Sequence, residues 1–251
     1  MLRIRPEQMK AFETAAAKGF QDRMLEHVGQ FFPKHLAILG EPAIREVVSL
    51  GIDRGSVYGF VTEHDLCLYI DLMLLLGSLF DEDPQYPWAE AILNDKGIPD
   101  SAQRSERLYD EAMAFLDDVA GAEDEYLAHA LTTLRKRPLK DAVQPGAGKL
   151  EDRVLAELRA IWPQKCERVG AGPLGLLIHR GIQAAERYYL AGEFGVLLYV
   201  ALTLVLGSGF DADPQHRWAQ AVLGDASPSA RAKKADRLHE AAMACLDAWL
   251  S

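Results

Sequence analysis

The chain has 251 residues, 49% apolar and 25% charged, a composition that excludes intrinsic disorder, collagen-like repeats and a disulfide scaffold. Its 27 Lys and Arg against 37 Asp and Glu give a formal net charge of −10, a sign that repels phosphate backbones and anionic bilayers, so neither nucleic acid nor membrane is expected as a partner. Cys67, Cys166 and Cys245 are widely spaced and form no CxxC pair, and Arg3, Arg5, Glu7 and Lys10 interrupt any apolar leader; together they point to a cytoplasmic protein.

In chain order, Met9, Phe12, Ala16, Phe20, Met24, Val28 and Phe31 recur at three- and four-residue spacing, which predicts one apolar stripe on a long first helix ending before Pro33. A second helix is expected from about Pro42 to Tyr58. A third starts at Thr62, where Thr62-Glu-His-Asp65 has the form of a capping box with Asp in the place of Glu. A short fourth runs from about Trp88 to Leu93, and a fifth spans roughly Ser101 to Val119 with Leu108, Ala112, Phe115 and Val119 facing inward. No stretch alternates with period two, so strands are not expected.

The strongest signal is internal. Gly77-Ser-Leu-Phe-Asp-Glu-Asp-Pro-Gln85 aligns without a gap onto Gly207-Ser-Gly-Phe-Asp-Ala-Asp-Pro-Gln215, an offset of 130 residues, and 20 of the 41 positions from 77 to 117 are identical at that offset. The same offset pairs Pro33 with Pro163 and Gly51-Ile52 with Gly181-Ile182. This predicts an all-α chain of two tandem helical lobes related by duplication: residues 1–120, a linker at 121–149 holding one short helix, and residues 150–251. The excess charge is confined to the first lobe, with 11 basic and 21 acidic residues in 1–120 against 16 of each in 121–251. An acidic lobe accounts for solubility, and it also offers a field that steers a basic partner. The basic run Arg135-Lys-Arg-Pro-Leu-Lys140 is expected to cap a helix end or lie against that lobe.

Phe194 to Phe210 is a 17-residue stretch without a charge, at the short limit for a bilayer span. Its counterpart tolerates Asp71, so a buried central helix accounts for it better. Gly170-Ala-Gly-Pro-Leu-Gly175 reads as the loop before a helix starting near Pro173, since it lacks a preceding strand and a phosphate-binding lysine.

Chemistry-bearing patterns are few. The seven histidines show no HxxxH or HExxH spacing and no nearby cysteine pair, so no metal and no cofactor is expected. Asp81/Asp83 and Asp211/Asp213 raise a hydrolase or metal-dependent alternative, with His64 or Asp71 as helpers. Asp before Pro at a helix start has a simpler cause in capping, and Phe80, Trp88, Phe210 and Trp218 then anchor the loops. Asp71, set among Leu68-Tyr-Ile and Leu72-Met-Leu, is the carboxylate expected to be buried and perturbed; its copy is Ala201.

Arg3-Ile-Arg-Pro-Glu-Gln-Met9, Thr62-Glu-His-Asp-Leu-Cys-Leu-Tyr-Ile-Asp-Leu-Met73, Phe80-Asp-x-Asp-Pro and Pro87-Trp-Ala89 together resemble a family of small helical accessory proteins encoded beside type VI secretion spike and effector genes in Gram-negative bacteria. The resemblance covers the first lobe; only Phe-Asp-x-Asp-Pro, Trp-Ala and Arg-Leu persist in the second. It implies a non-enzymatic protein that binds a cognate secreted effector, toxin or spike component in the producing cell, as a loading chaperone or as an immunity protein. Arg3, Arg5, Asp81, Asp83, Trp88, Asp211, Asp213 and Trp218 are then the candidate protein-binding residues. A self-assembling structural role is the remaining alternative.

Overall fold

A computed structural model describes residues 5–142, 148–190, 192–227 and 231–251, with the side chains of 6–14, 141 and 142 excepted. Among the described residues the chain is all-α, without strands. In the first half, α1 is Pro6–Phe31, α2 Pro33–Leu39, α3 Glu41–Val57, α4 Glu63–Leu76, α5 Pro87–Leu93 and α6 Ser101–Ala120. Then come α7 (Glu125–Lys136) and α8 (Leu139–Ala142). The second half holds α9 (Leu150–Ile161), α10 (Pro163–Val169), α11 (Ala171–Arg187), α12 (Gly192–Leu206), α13 (Arg217–Gly224) and α14 (Lys234–Leu250). Single 3-10 turns form at Phe80–Glu82 and Pro214–His216. Both bounds of α2 and α10, and of α3 and α11, differ by 130 residues, as do the last residues of α4 and α12.

Local chemistry sets these bounds. Pro33 and Pro163 take the first-turn position that needs no N–H donor. The Thr62 side chain accepts the Asp65 N–H at 3.1 Å and starts α4 as its capping sequence predicts. The Asp65 carboxylate takes the Ser101 and Ser105 hydroxyls at 3.0 and 2.7 Å and ties α4 to α6. On α6, Leu108, Ala112, Phe115 and Val119 are all buried. The glycine-rich segment differs from its expected loop form, because α11 begins at Ala171 and takes Gly172 and Gly175 into its first turns. The α1 stripe is covered only in part: Phe20, Met24 and Val28 are buried, Ala16 is exposed, and Phe31 is 61% exposed. Met9 and Phe12 lie outside the described side chains.

The central helices α4 and α12 are apolar nearly all round because each is wrapped on several sides. α3 and α6 pack on α4, while α9, α11 and α14 pack on α12. Close approach is bought by small residues at matching places: a Cβ on Gly51 would lie 2.4 Å from Ile70, and one on Gly181 would lie 2.7 Å from Val200. Among the described residues, no helix is long and apolar enough to cross a membrane.

One apolar core runs through both halves. α2 packs on α14, α10 packs on α6, and the Pro214–His216 turn packs on α3. The indole N–H of Trp162 donates to the Val119 carbonyl at 2.8 Å. The 121–149 stretch holds two helices, and α7 buries Ala130 and Leu134 against α6, α9 and α14. Arg135 and Lys136 do occupy the last turn of α7. The partners of the basic run are not the acidic first half, however: Arg135 pairs with Asp247, Arg137 with Glu157 and Lys140 with Asp236.

Candidate functional site

The repeated Gly-Ser-x-Phe-Asp-x-Asp-Pro-Gln loops leave α4 and α12 and meet at the seam between the halves. Gly77 and Gly207 turn there with φ of +100° and +93°. A Cβ on Gly77 would sit 2.9 Å from the Leu206 carbonyl oxygen, and one on Gly207 2.7 Å from that of Leu76, so only glycine fits on both backbone and steric grounds. The next residue of each loop is held by the other half. Ser78 donates its N–H and hydroxyl to Asp213 at 2.8 and 2.7 Å. Ser208 donates the same pair of groups to Asp83 at 2.6 and 3.0 Å.

Each aspartate also caps its own turn, taking the Gln85 or Gln215 N–H at 2.9 Å. The glutamine amides then cross the seam: Gln85 donates to the Thr203 carbonyl at 3.1 Å and Gln215 to the Met73 carbonyl at 2.8 Å. With contacts from the glutamine side chains at 3.0 and 3.4 Å, Asp83 and Asp213 each accept four donors. A carboxylate offers about four lone-pair positions, so both are saturated.

The preceding aspartates stay within their own half. Asp81 accepts the Tyr58 hydroxyl at 2.8 Å and Arg54 at 2.6 and 2.7 Å. Asp211 accepts the Tyr188 hydroxyl at 2.7 Å. Burial, and then the bond to Asp81, push the Tyr58 phenol up, which keeps it a donor. Burial works against the Arg54 charge, but its bonds to Asp81 and Glu82 outweigh that and raise its pKa. Another pair of matching positions caps the central helices. Lys165 donates to the Leu204 carbonyl at 2.7 Å and His35 to that of Leu74 at 3.2 Å. Burial brings Lys165 down to about 8 and also lowers His35.

The predicted binding residues divide accordingly. Asp81, Asp83 and Asp213 are buried and committed to these internal bonds, so they are braces and not surface contacts. Asp211, Trp88 and Trp218 are half-buried, Arg5 is exposed, and Arg3 lies outside the described residues. Trp88 leans on Tyr86 and Phe115. Trp218 lines an open groove of about 410 Å³ between the halves, with Ile38, Leu39 and Ala43 on one side and Ala241, Ala244 and Cys245 on the other.

Asp71 is buried as its setting predicts, and burial, countered by His27, raises its pKa. It is not alone in burial, since Asp65, Asp81, Asp83 and Asp213 are buried too. The Asp71 carboxylate oxygens lie 2.9 and 3.0 Å from His27 Nε2 on α1, and Cys67 Sγ lies 3.6 Å from the same nitrogen. Burial, and then the Asp71 charge, push the Cys67 thiol up to about 12. A relay for nucleophilic catalysis places thiol and carboxylate on opposite ring nitrogens; here both face Nε2. His64 is exposed on α4 and outside the cluster. Cys67 is not among the site residues expected from sequence; its four-residue spacing from Asp71 on α4 is the signal that marks the two as sharing a face. His27, 44 residues from Asp71, carries no spacing that announces it.

No protein-family model, curated protein or solved structure matches the chain.

Proposed function

We propose that the chain is a non-enzymatic protein-binding accessory of a type VI secretion effector cluster, taking a basic effector, toxin or spike component in the producing cell. The observation that carries this reading is the saturation of the repeated aspartates. A carboxylate that already accepts four donors, as Asp83 does, has no lone pair left to activate water or hold a cation; Asp81 is buried and bonded to Arg54 and Tyr58, so neither motivates a hydrolase. The repeat is spent on holding two helical halves together.

The seam leaves an apolar groove beside Trp218, on a chain whose first half carries excess negative charge. Apolar contact then supplies affinity, and charge supplies steering and register. Co-purification with the products of neighbouring genes tests the reading, followed by titration calorimetry with the partner found. Ala244→Arg places a bulky cation at an exposed position of the groove and is expected to weaken binding at least tenfold with an unchanged melting temperature. An association that survives Ala244→Arg at full strength moves the interface elsewhere. No association at micromolar concentration removes the reading.

A further inference from the structure

We infer that His27, Cys67 and Asp71 form a binding site for a divalent cation of the zinc class, which would clamp α1 onto α4. One imidazole nitrogen, one thiol sulfur and one carboxylate oxygen lie within 4.8 Å of one another. This mixed nitrogen, sulfur and oxygen set suits a borderline-soft ion and suits calcium or magnesium poorly. Cys67 and Asp71 are four residues apart on α4 and so share a face, while His27 comes from α1.

The distances fit. With zinc bonds of about 2.3 Å to sulfur and 2.0–2.2 Å to nitrogen and oxygen, a tetrahedral centre separates sulfur from nitrogen by about 3.6 Å and nitrogen from oxygen by about 3.4 Å. The first matches the 3.6 Å between Cys67 and His27. The second requires the 2.9 Å His27–Asp71 hydrogen bond to open by a few tenths of an ångström, as the shared proton gives way to the ion. The third separation, Cys67 sulfur to Asp71 oxygen, is within 4.8 Å and closes to about 3.6 Å around the ion. His27 keeps 24% of its side chain exposed, which leaves a fourth position for water.

The two halves differ here where they agree elsewhere. The seam aspartates, serines and glutamines are present in both, but the residues 130 positions beyond His27, Cys67 and Asp71 are Glu157, Leu197 and Ala201. Leu197 and Ala201 are fully buried, so the fold at these places is satisfied by apolar side chains. The first half instead places a thiol and a carboxylate there, at a desolvation cost that packing does not require.

Protein stripped with a chelator and titrated with Zn²⁺, in competition with a chromophoric chelator, is expected to bind one equivalent and to melt at a higher temperature. Co²⁺ should give a thiolate-to-metal charge-transfer band that Cys67→Ser abolishes. The double variant Cys67→Leu/Asp71→Ala carries the second half's side chains. It should weaken Zn²⁺ at least about a hundredfold, beyond the 10–100-fold typical of an outer-shell loss. His27→Gln, at a half-exposed position, repeats the test should the double variant fail to melt cooperatively. Absence of a one-equivalent site, or a site whose affinity is unchanged in these variants, overturns the inference.

Discussion

Replacing Asp213 with alanine removes the acceptor for three donors at once: the Ser78 N–H, the Ser78 hydroxyl and the Gln215 N–H. Ser78 is 0% exposed, so water does not take the carboxylate's place. An unsatisfied buried donor costs about 1–3 kcal/mol. The Gln215 amide keeps its bond to the Met73 carbonyl and adds nothing. Three such donors give an expected loss of about 3–9 kcal/mol, a large share of the roughly 5–15 kcal/mol that stabilises an ordinary domain. Asp83→Ala strands the matching Ser208 and Gln85 groups. Ser208 is half-buried and recovers some hydration, so about 2–4 kcal/mol is expected. Asp110→Ala, on the exposed face of α6, serves as a control within about 0.5 kcal/mol. Urea unfolding followed by circular dichroism and tryptophan fluorescence measures all three. The two probes should coincide in one transition, because the core is continuous across the halves. A loss below about 1 kcal/mol for Asp213→Ala, or a larger cost for Asp83→Ala, would refute the brace.

Gly77→Ala meets both a forbidden backbone conformation and the Leu206 carbonyl, and thermal melting should show a loss of at least about 3 kcal/mol. Gly175→Ala is the counter-case, inside α11 with open space around the new methyl, and should stabilise by about 0.5–1 kcal/mol in the same assay. Lys165, lowered by burial from 10.5 to about 8, holds fewer protons folded than unfolded between those values. Stability therefore rises with pH from about 8 to 10.5 and is flat below; the Lys165 contribution is about 3 kcal/mol. Subtracting the Lys165→Met profile isolates that rise, and coincident profiles for wild type and variant would rule out the assignment.

Helices whose evidence is local were legible in the chain. The spacing of Leu108, Ala112, Phe115 and Val119 names the buried face of α6 because a helix repeats within four residues. Thr62 and the Asp-Pro pairs name their caps because a cap bonds two or three residues away. What local spacing does not carry is a second bond from the same group. Asp83 caps its own turn and also binds Ser208, 125 residues on, and a capping pattern looks the same with or without that reach. The sequence held a clue: Ser78 and Gln85 recur as Ser208 and Gln215 although no local role demands them. The partners of Arg135, Arg137 and Lys140 depend on where α7 lies, which charge counting over each half does not fix. Apolar periodicity also overstates coverage, since Ala16 and Phe31 share the α1 stripe yet stand exposed.

The serine–aspartate seam has a consequence for assembly. Each side gives the other the bond it receives, the symmetry of an isologous dimer interface written inside one polypeptide. Two molecules that trade halves satisfy the same serine–aspartate bonds. Refolding at high concentration should therefore yield some domain-swapped dimer, and refolding at high dilution should favour the closed monomer.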